Sequence, residues 1–277
     1  MMIKLIADSS SDCPALAGIP VAYVPLVIST EARSFTDDGT LNVGDMLSYL
    51  AGHKGRSYTA CPSVDAWLRA FEGGDEIYVV TITSALSGSF NSAMAARMLY
   101  RQEHPEAKVA VFDSRSTGPE LRLILEKLQD CIARGLPFEQ TVQEVEAYRH
   151  HTGLLFCLHS LHNMAQNGRV NKVVAAAVGV LGIRIVGKAS DAGTLAQLAR
   201  SRGDRKALPE MIGQMRQAGY TGGKVRLTHV ENPALADSFA GQLLAAWPDA
   251  DVQIAASTGL CSYYAESGAI MVGFEHE

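Results

Sequence analysis

Three short clusters could do chemistry: Asp8-Ser9-Ser10-Ser11-Asp12, Thr81-Ile82-Thr83-Ser84-Ala85-Leu86-Ser87-Gly88-Ser89, and Asp113-Ser114-Arg115-Ser116-Thr117-Gly118. Each runs directly on from a strand-like apolar stretch and precedes a helix-like one. In an open parallel sheet the ligand crevice lies outside the carboxyl ends of the strands, where helix N-termini present unpaired amides and a positive dipole end. Hydroxyls gathered there suit an anion. Ser and Thr are also preferred helix N-caps and need no ligand for that role. Three clusters at corresponding positions point to a shared site.

Other chemistries lack their signatures. There is no G-x-x-x-x-G-K-[ST], and Gly179-Val180-Leu181-Gly182 is not a G-x-G-x-x-G between strand and helix. No G-x-S-x-G elbow is present, and spacing identifies no histidine base for the serines. Cys157, His159 and His162, with His150 and His151 nearby, offer thiolate and imidazole, but their spacing matches no standard zinc site. Cys157 sits in an apolar strand-like run and the histidines in a polar stretch, so a core thiol and solvated imidazoles are expected, and no metal.

The elements that must position these clusters alternate in the first 150 or so residues. Ile3 to Ala7, Val21 to Ile28, Glu76 to Ile82 and Lys108 to Phe112 read as strands; Ser92 to Gln102, Glu120 to Arg134 and Pro137 to His151 read as helices. That order argues for parallel strands joined by crossover helices. A boundary is expected near Thr152-Gly153. Beyond it, Leu154 to Leu158, Ile183 to Gly187, Lys224 to His229 and Asp251 to Ala255 are strand-like, while Lys206 to Ala218 and Ala234 to Ala246 are helical. The expectation is an α/β domain over 1–152, with a mostly parallel sheet flanked by helices, and a second, α+β domain over 153–277.

Composition excludes several classes. With 277 residues, 47% hydrophobic and 19% charged, the chain has apolar mass enough for a sizeable core. A net charge of −5 with no dense basic run argues against nucleic acid. The longest apolar run, Val173 to Leu181, is far short of the roughly 20 residues that span a bilayer, so an integral membrane protein is not expected. No extended apolar segment follows the N-terminus, and five cysteines without a C-x-x-C suit a reducing compartment; the expected location is cytoplasmic.

Several segments, in order along nearly the whole chain, resemble the DegV family. Ile6 through Asp12 resembles its opening T-D-S-x-x-D, and Tyr23-Val24-Pro25-Leu26 its next strand. Thr59-Ala60-Cys61-Pro62-Ser63 is similar to its T-S-Q-P-S loop, and Ser84 through Ala93 to its S-x-x-S-G-T-Y-Q-S-A segment. Asp113-Ser114 matches its D-S pair, and Leu161 through Gly168-Arg169-Val170 its L-x-x-L-x-x-x-G-R-I stretch.

The resemblance implies a non-enzymatic protein that holds one long-chain fatty acid in a buried tunnel closed by the second domain, with the carboxylate at the domain interface. It implies no cofactor beyond that ligand, and as further partner a separate fatty acid kinase that makes the acyl phosphate. By carry-over Thr59 and Ser84, both expected in loops, bind the carboxylate; Cys61, Ser87, Ser114, Arg169, Tyr263 and Tyr264 are its expected neighbours. A purely regulatory binding protein would differ only in its partner. The rival from another class is an enzyme acting on a small anionic acyl or phosphoryl substrate at the Ser84 to Ser89 loop. One departure stands out: the family's C-terminal T-H-x-G-x-G loop reads Gly259 through Gly268 here, without its histidine. A neutral phenol at Tyr263 or Tyr264 lacks the charge an imidazolium offers a phosphate, so weak acyl-phosphate formation is the expectation.

Overall fold

Ile3–Asp8 (β1) ends in four consecutive buried residues, the burial of a central strand covered on both faces. In the computed structural model, which describes residues 1–13, 16, 18–170 and 182–277, β1 pairs in parallel with Val21–Val24 (β2) and Glu76–Thr81 (β6). Lys108–Asp113 (β7) extends β6 in parallel, giving the order β2-β1-β6-β7. The chain steps from β1 to one side and returns to the other, so the strand order switches between β1 and β6. The apolar run Val173 to Leu181 lies outside the described residues.

The strand read from Val21 to Ile28 is two strands in two sheets. Pro25 has no N–H to give a ladder, and Leu26 donates its N–H to Ser9 Oγ at 3.0 Å. The chain then turns into Val27–Thr30 (β3), which pairs antiparallel with Ser34–Thr36 (β4) and Ser57–Ala60 (β5). Strands of three or four residues give too short an alternation to read. Val43–Gly52 (α1) and Val64–Phe71 (α2) begin at Asn42 and Ser63, each accepting a backbone N–H as a cap.

Ser89–Glu103 (α3), Pro119–Ala133 (α4) and Phe138–Tyr148 (α5) flank the parallel sheet. Helix α3 starts three residues before the expected Ser92, because Ser89 is buried with its hydroxyl on Asp8. Leu121, Ile124, Leu125 and Leu128 of α4 recur every three or four residues and pack on Leu5, Tyr78 and Val80.

The second sheet runs β10-β9-β8-β13-β11-β12, formed by Thr152–Leu158 (β8), Ile183–Ala189 (β9), Leu195–Arg202 (β10), Lys224–His229 (β11), Asp251–Ala256 (β12) and Ile270–Glu275 (β13). Its pairs are antiparallel except β11 with β12. His162–Gln166 (α6), Asp204–Gln217 (α7), Pro233–Ala246 (α8) and Gly259–Ala265 (α9) complete it. Strand β10 escaped the sequence reading because Leu-Ala-Gln-Leu-Ala-Arg-Ser-Arg does not alternate.

The two sheets meet through α4. Gly273 of β13 lies so close to its first turn that a Cβ would stand 2.6 Å from the Glu120 nitrogen and the Pro119 carbonyl carbon. Nearby, Glu126 of α4 accepts from Arg226 Nε and Nη2, both at 2.7 Å, with Arg226 buried. A second seam joins the β1 loop to α9. Asp12, itself at φ 53°, accepts from Thr258 N at 2.7 Å, Thr258 Oγ1 at 3.0 Å and Thr228 Oγ1 at 2.8 Å. Asp37 accepts from Gly259 N at 2.8 Å and Leu260 N at 2.9 Å.

Burial raises the Asp12 carboxyl from its ordinary 3.8 to about 6, against the pull of those hydrogen bonds. The folded chain therefore holds this proton more tightly than the unfolded one. At about 1.4 kcal/mol per pH unit, the charge costs on the order of 3 kcal/mol at neutral pH, and the cost is relieved as pH falls from about 6 toward 4. Burial raises Asp8, Asp37 and Glu120 in the same direction. Thermal unfolding is expected at a higher temperature at pH 5 than at pH 7, with a smaller rise in Asp12→Asn, since asparagine accepts the left-handed backbone. An equal rise in both proteins would remove Asp12 from the account.

Candidate functional site

Most of the hydroxyls that drew attention in the sequence serve the protein itself. Ser10 and Ser89 donate to Asp8, which also accepts from Ile82 N at 2.9 Å. Ser114 donates to Ser116 O at 3.0 Å. Ser84 is exposed and donates its hydroxyl to Asp113. Strand ends at the switch between β1 and β6 are thus closed by their own loops. Of the three clusters, only Ile82, Leu86, Ser87 and Thr117 line a cavity that opens above them.

That cavity, together with the open solvent at its mouth, comprises about 690 Å³ of space free of protein atoms. One wall is Leu154, Phe156 and Leu158, alternate residues of β8 that share a face of the second sheet, with Met271 of β13 beside them. Leu26 and Ile82 come from the first half of the chain; Leu260, Cys261 and Ala265 come from α9, Met164 from α6 and Leu195 from β10. The lining therefore draws on the parallel sheet's loops, the small sheet, and the second sheet together. Burial drives the Cys261 thiol well above its ordinary range, so it acts as a small apolar group with weak contacts to Thr117 Oγ1 at 3.7 Å and Ser10 O at 3.4 Å.

Polar groups gather on one side. Thr59 Oγ1 and the Tyr264 hydroxyl are 2.7 Å apart, and both residues line the cavity with Ser87. Thr59 stands on β5 rather than in the loop expected for it, which fixes its side chain through the β3 ladder. Arg169 is the one charged residue among the lining residues. Its Nε donates to Leu86 O at 3.3 Å and another guanidinium N–H to Asn167 O, and among the described residues its remaining N–H groups have no partner. Desolvation raises the Tyr264 phenol, so at neutral pH it stays a neutral donor and acceptor.

Of the residues expected at the headgroup, the fold brings Thr59, Ser87, Arg169 and Tyr264 to the cavity. Ser84, Cys61, Ser114 and Tyr263 lie elsewhere. Cys61 is exposed, and Ser114 is buried beneath its own turn. Tyr263 is wholly buried, paired with Ser57 Oγ at 2.7 Å and Asn167 Nδ2 at 2.9 Å. Its ring meets that of Tyr264 edge to face at 4.8 Å, so Tyr263 acts as the post that holds Tyr264. Thr117 and the β8 face carry no signal of their own in the sequence: Leu154 to Leu158 is apolar at every position, so the pattern does not say which alternate residues face the cavity.

Neither Ser84, Ser87 nor Ser89 hydrogen-bonds a histidine among the described residues; their hydroxyl partners are Asp113, Ser89 N and Asp8. No helix among the described residues is long and apolar enough to cross a membrane.

A family model described as "Uncharacterised protein, DegV family" matches residues 2–277. A DegV domain-containing protein of Streptococcus pneumoniae strain R6 is 41% identical over 280 residues, covering 99% of this chain and 99% of that protein. A DegV family protein from Eubacterium eligens, crystallised loaded with heptadecanoic acid, superposes with a TM-score of 0.97 at 52% identity, over 99% of this chain and 100% of that one. The Streptococcus pneumoniae fatty acid kinase (Fak) B3 protein, loaded with linoleic acid, superposes with a TM-score of 0.98 at 40% identity over 100% of both chains.

Proposed function

This chain belongs to the DegV family, and from that premise we propose that it binds one long-chain fatty acid, acyl chain in the cavity and carboxylate toward Thr59, Tyr264, Ser87 and Arg169, between domains spanning 1–152 and 153–277. It acts as a carrier or as the subunit that presents the acid to a separate fatty acid kinase, without catalysis of its own. The observation that carries this reading is the composition of the lining: an almost wholly apolar cavity, one charged residue, and a paired hydroxyl and phenol on the same side. The fatty acids held by the Eubacterium eligens protein and the Fak B3 protein support it.

Physical magnitudes divide the work. Burying about 15 methylenes at about 0.8 kcal/mol each is worth on the order of 12 kcal/mol gross, whereas a hydroxyl bond to a carboxylate nets about 1.5 to 3 kcal/mol. Chain burial sets affinity and the polar cluster sets orientation. Ser87, rather than the exposed Ser84, supplies the loop hydroxyl in this assignment. Arg169, which belongs to the family's G-R-I stretch, supplies the positive charge, and no second cation among the lining residues replaces the histidine of the C-terminal loop.

Native mass spectrometry of freshly purified protein tests the proposal, with one fatty acid per chain expected. Protein that emerges empty and then takes up neither oleate nor palmitate would refute it. Tyr264→Phe and Thr59→Ala are each expected to weaken fatty acid binding about tenfold, an expected loss of about 1.4 kcal/mol. The corresponding methyl ester, which has no carboxylate, should be held equally by all three proteins. A matching loss for acid and ester would place these two residues in the scaffold instead.

A further inference from the structure

On the face of β8 turned away from the acyl cavity, Cys157, His159 and Asp204 bring a thiol, an imidazole nitrogen and a carboxylate oxygen within 4.8 Å of one another. From this convergence we infer that the protein binds a thiophilic divalent cation of the zinc type at these three residues. The sequence separates them: Cys157 lies at the end of β8 and His159 just beyond it, while Asp204 opens α7, and only the packing of α7 over β8 and β9 unites them.

The geometry suits a tetrahedral ion. His159 Nε2 and an Asp204 carboxylate oxygen are 3.4 Å apart, the separation of two ligands each about 2.0 to 2.1 Å from a shared tetrahedral centre. His159 Nε2 is shielded and, among the described residues, has no hydrogen-bond partner in good geometry, so a metal would satisfy it. Gly268 packs against the imidazole so closely that a Cβ would stand 2.2 Å from Nδ1, which holds the ring in place. Arg184 already holds both Asp204 oxygens, Nε on Oδ1 at 2.6 Å and Nη2 on Oδ2 at 3.5 Å, and Oδ1 is also the oxygen that faces His159, so the ion would share that oxygen with the guanidinium. One sulfur, one nitrogen and one oxygen select a borderline cation over magnesium or calcium, which take oxygen sets. His159 and Asp204 are partly exposed, leaving the fourth position to water.

The site's place in the fold says what the ion would do. It pins the start of α7 to the end of β8 while Phe156 and Leu158 on the other face line the cavity, so the cation is a clamp on the cavity wall and not part of the headgroup site. Binding displaces the thiol proton to solvent as the sulfur–metal bond forms.

Cobalt(II) titration of the full chain, in a Cys61→Ser background that removes the exposed thiol, is the test. We expect one cobalt per chain with a thiolate-to-cobalt charge-transfer band, absent in Cys157→Ala. His159→Ala and Asp204→Asn should each weaken cobalt affinity at least tenfold, and added zinc should raise the unfolding temperature of the parent but not of these variants. No charge-transfer band in the parent, or its persistence in Cys157→Ala, overturns the site. Should Cys157→Ala fail to fold, unchanged cobalt affinity in both His159→Ala and Asp204→Asn overturns it equally.

Discussion

Replacing Arg169 by methionine is expected to weaken long-chain fatty acid binding about 30-fold, an expected loss of about 2 kcal/mol, while leaving the affinity for the matching fatty alcohol within a factor of about two. Arg169 is the one charged side chain among those lining the cavity, and its two hydrogen bonds to Leu86 and Asn167 carbonyls hold the guanidinium there without neutralising it. A carboxylate brought into an apolar enclosure needs a compensating charge or several hydrogen bonds. Methionine keeps most of the stem's apolar contact and removes only the fork. Competition against a fluorescent fatty acid, with acid and alcohol of equal chain length, gives the comparison. Equal retention of the acid in parent and variant would show that the hydroxyls alone orient the headgroup. Charge reversal by Arg169→Glu should produce a larger loss for the acid and again little for the alcohol.

The second large effect is structural. Gly273→Ala is expected to destabilise the protein by about 3 kcal/mol and to lower its unfolding temperature by roughly 10 °C, because α4 and β13 meet with no side chain between them. The new methyl would lie 2.6 to 2.7 Å from three backbone atoms of Pro119 and Glu120, and no flexible side-chain end is available to yield. The first turn of α4 must shift, and with it Thr117 and Gly118, which border Cys261 and Met271 at the cavity. Lipid retention should therefore fall along with stability. Gly241→Ala on α8, where a Cβ meets nothing within 4 Å, is the control and should be neutral or slightly stabilising. Similar unfolding temperatures for the two variants would show that the two halves slide past each other freely at this contact.

Much of this architecture was legible from patterns that depend on near neighbours. Apolar runs of five or six residues followed by helical periodicity are enough for a parallel sheet, because each strand and helix must bury its own face. Local chemistry also revealed the segments that carry the family resemblance, from Asp8 through Arg169. Near neighbours mislead at two places: Pro25 divides one apolar run between two sheets, and β10 lacks alternation.

What only the tertiary structure decided is which side chains share a space. Thr59 and Tyr264 are 205 residues apart and meet because α9 packs against β3, the strand with which β5 pairs. Ser84 and Ser87 look equivalent in the sequence, yet one faces Asp113 in solvent and the other the cavity. Three hydroxyl clusters suggested an anion site, and the fold uses most of them on its own backbone groups and carboxylates instead. Cys157, His159 and Asp204 form a potential ligand set only after α7 folds over β8 and β9. The chain's order of residues determines the secondary elements through local burial and hydrogen bonding. Long-range packing, with its dependence on every intervening turn, decides which atoms face the same cavity.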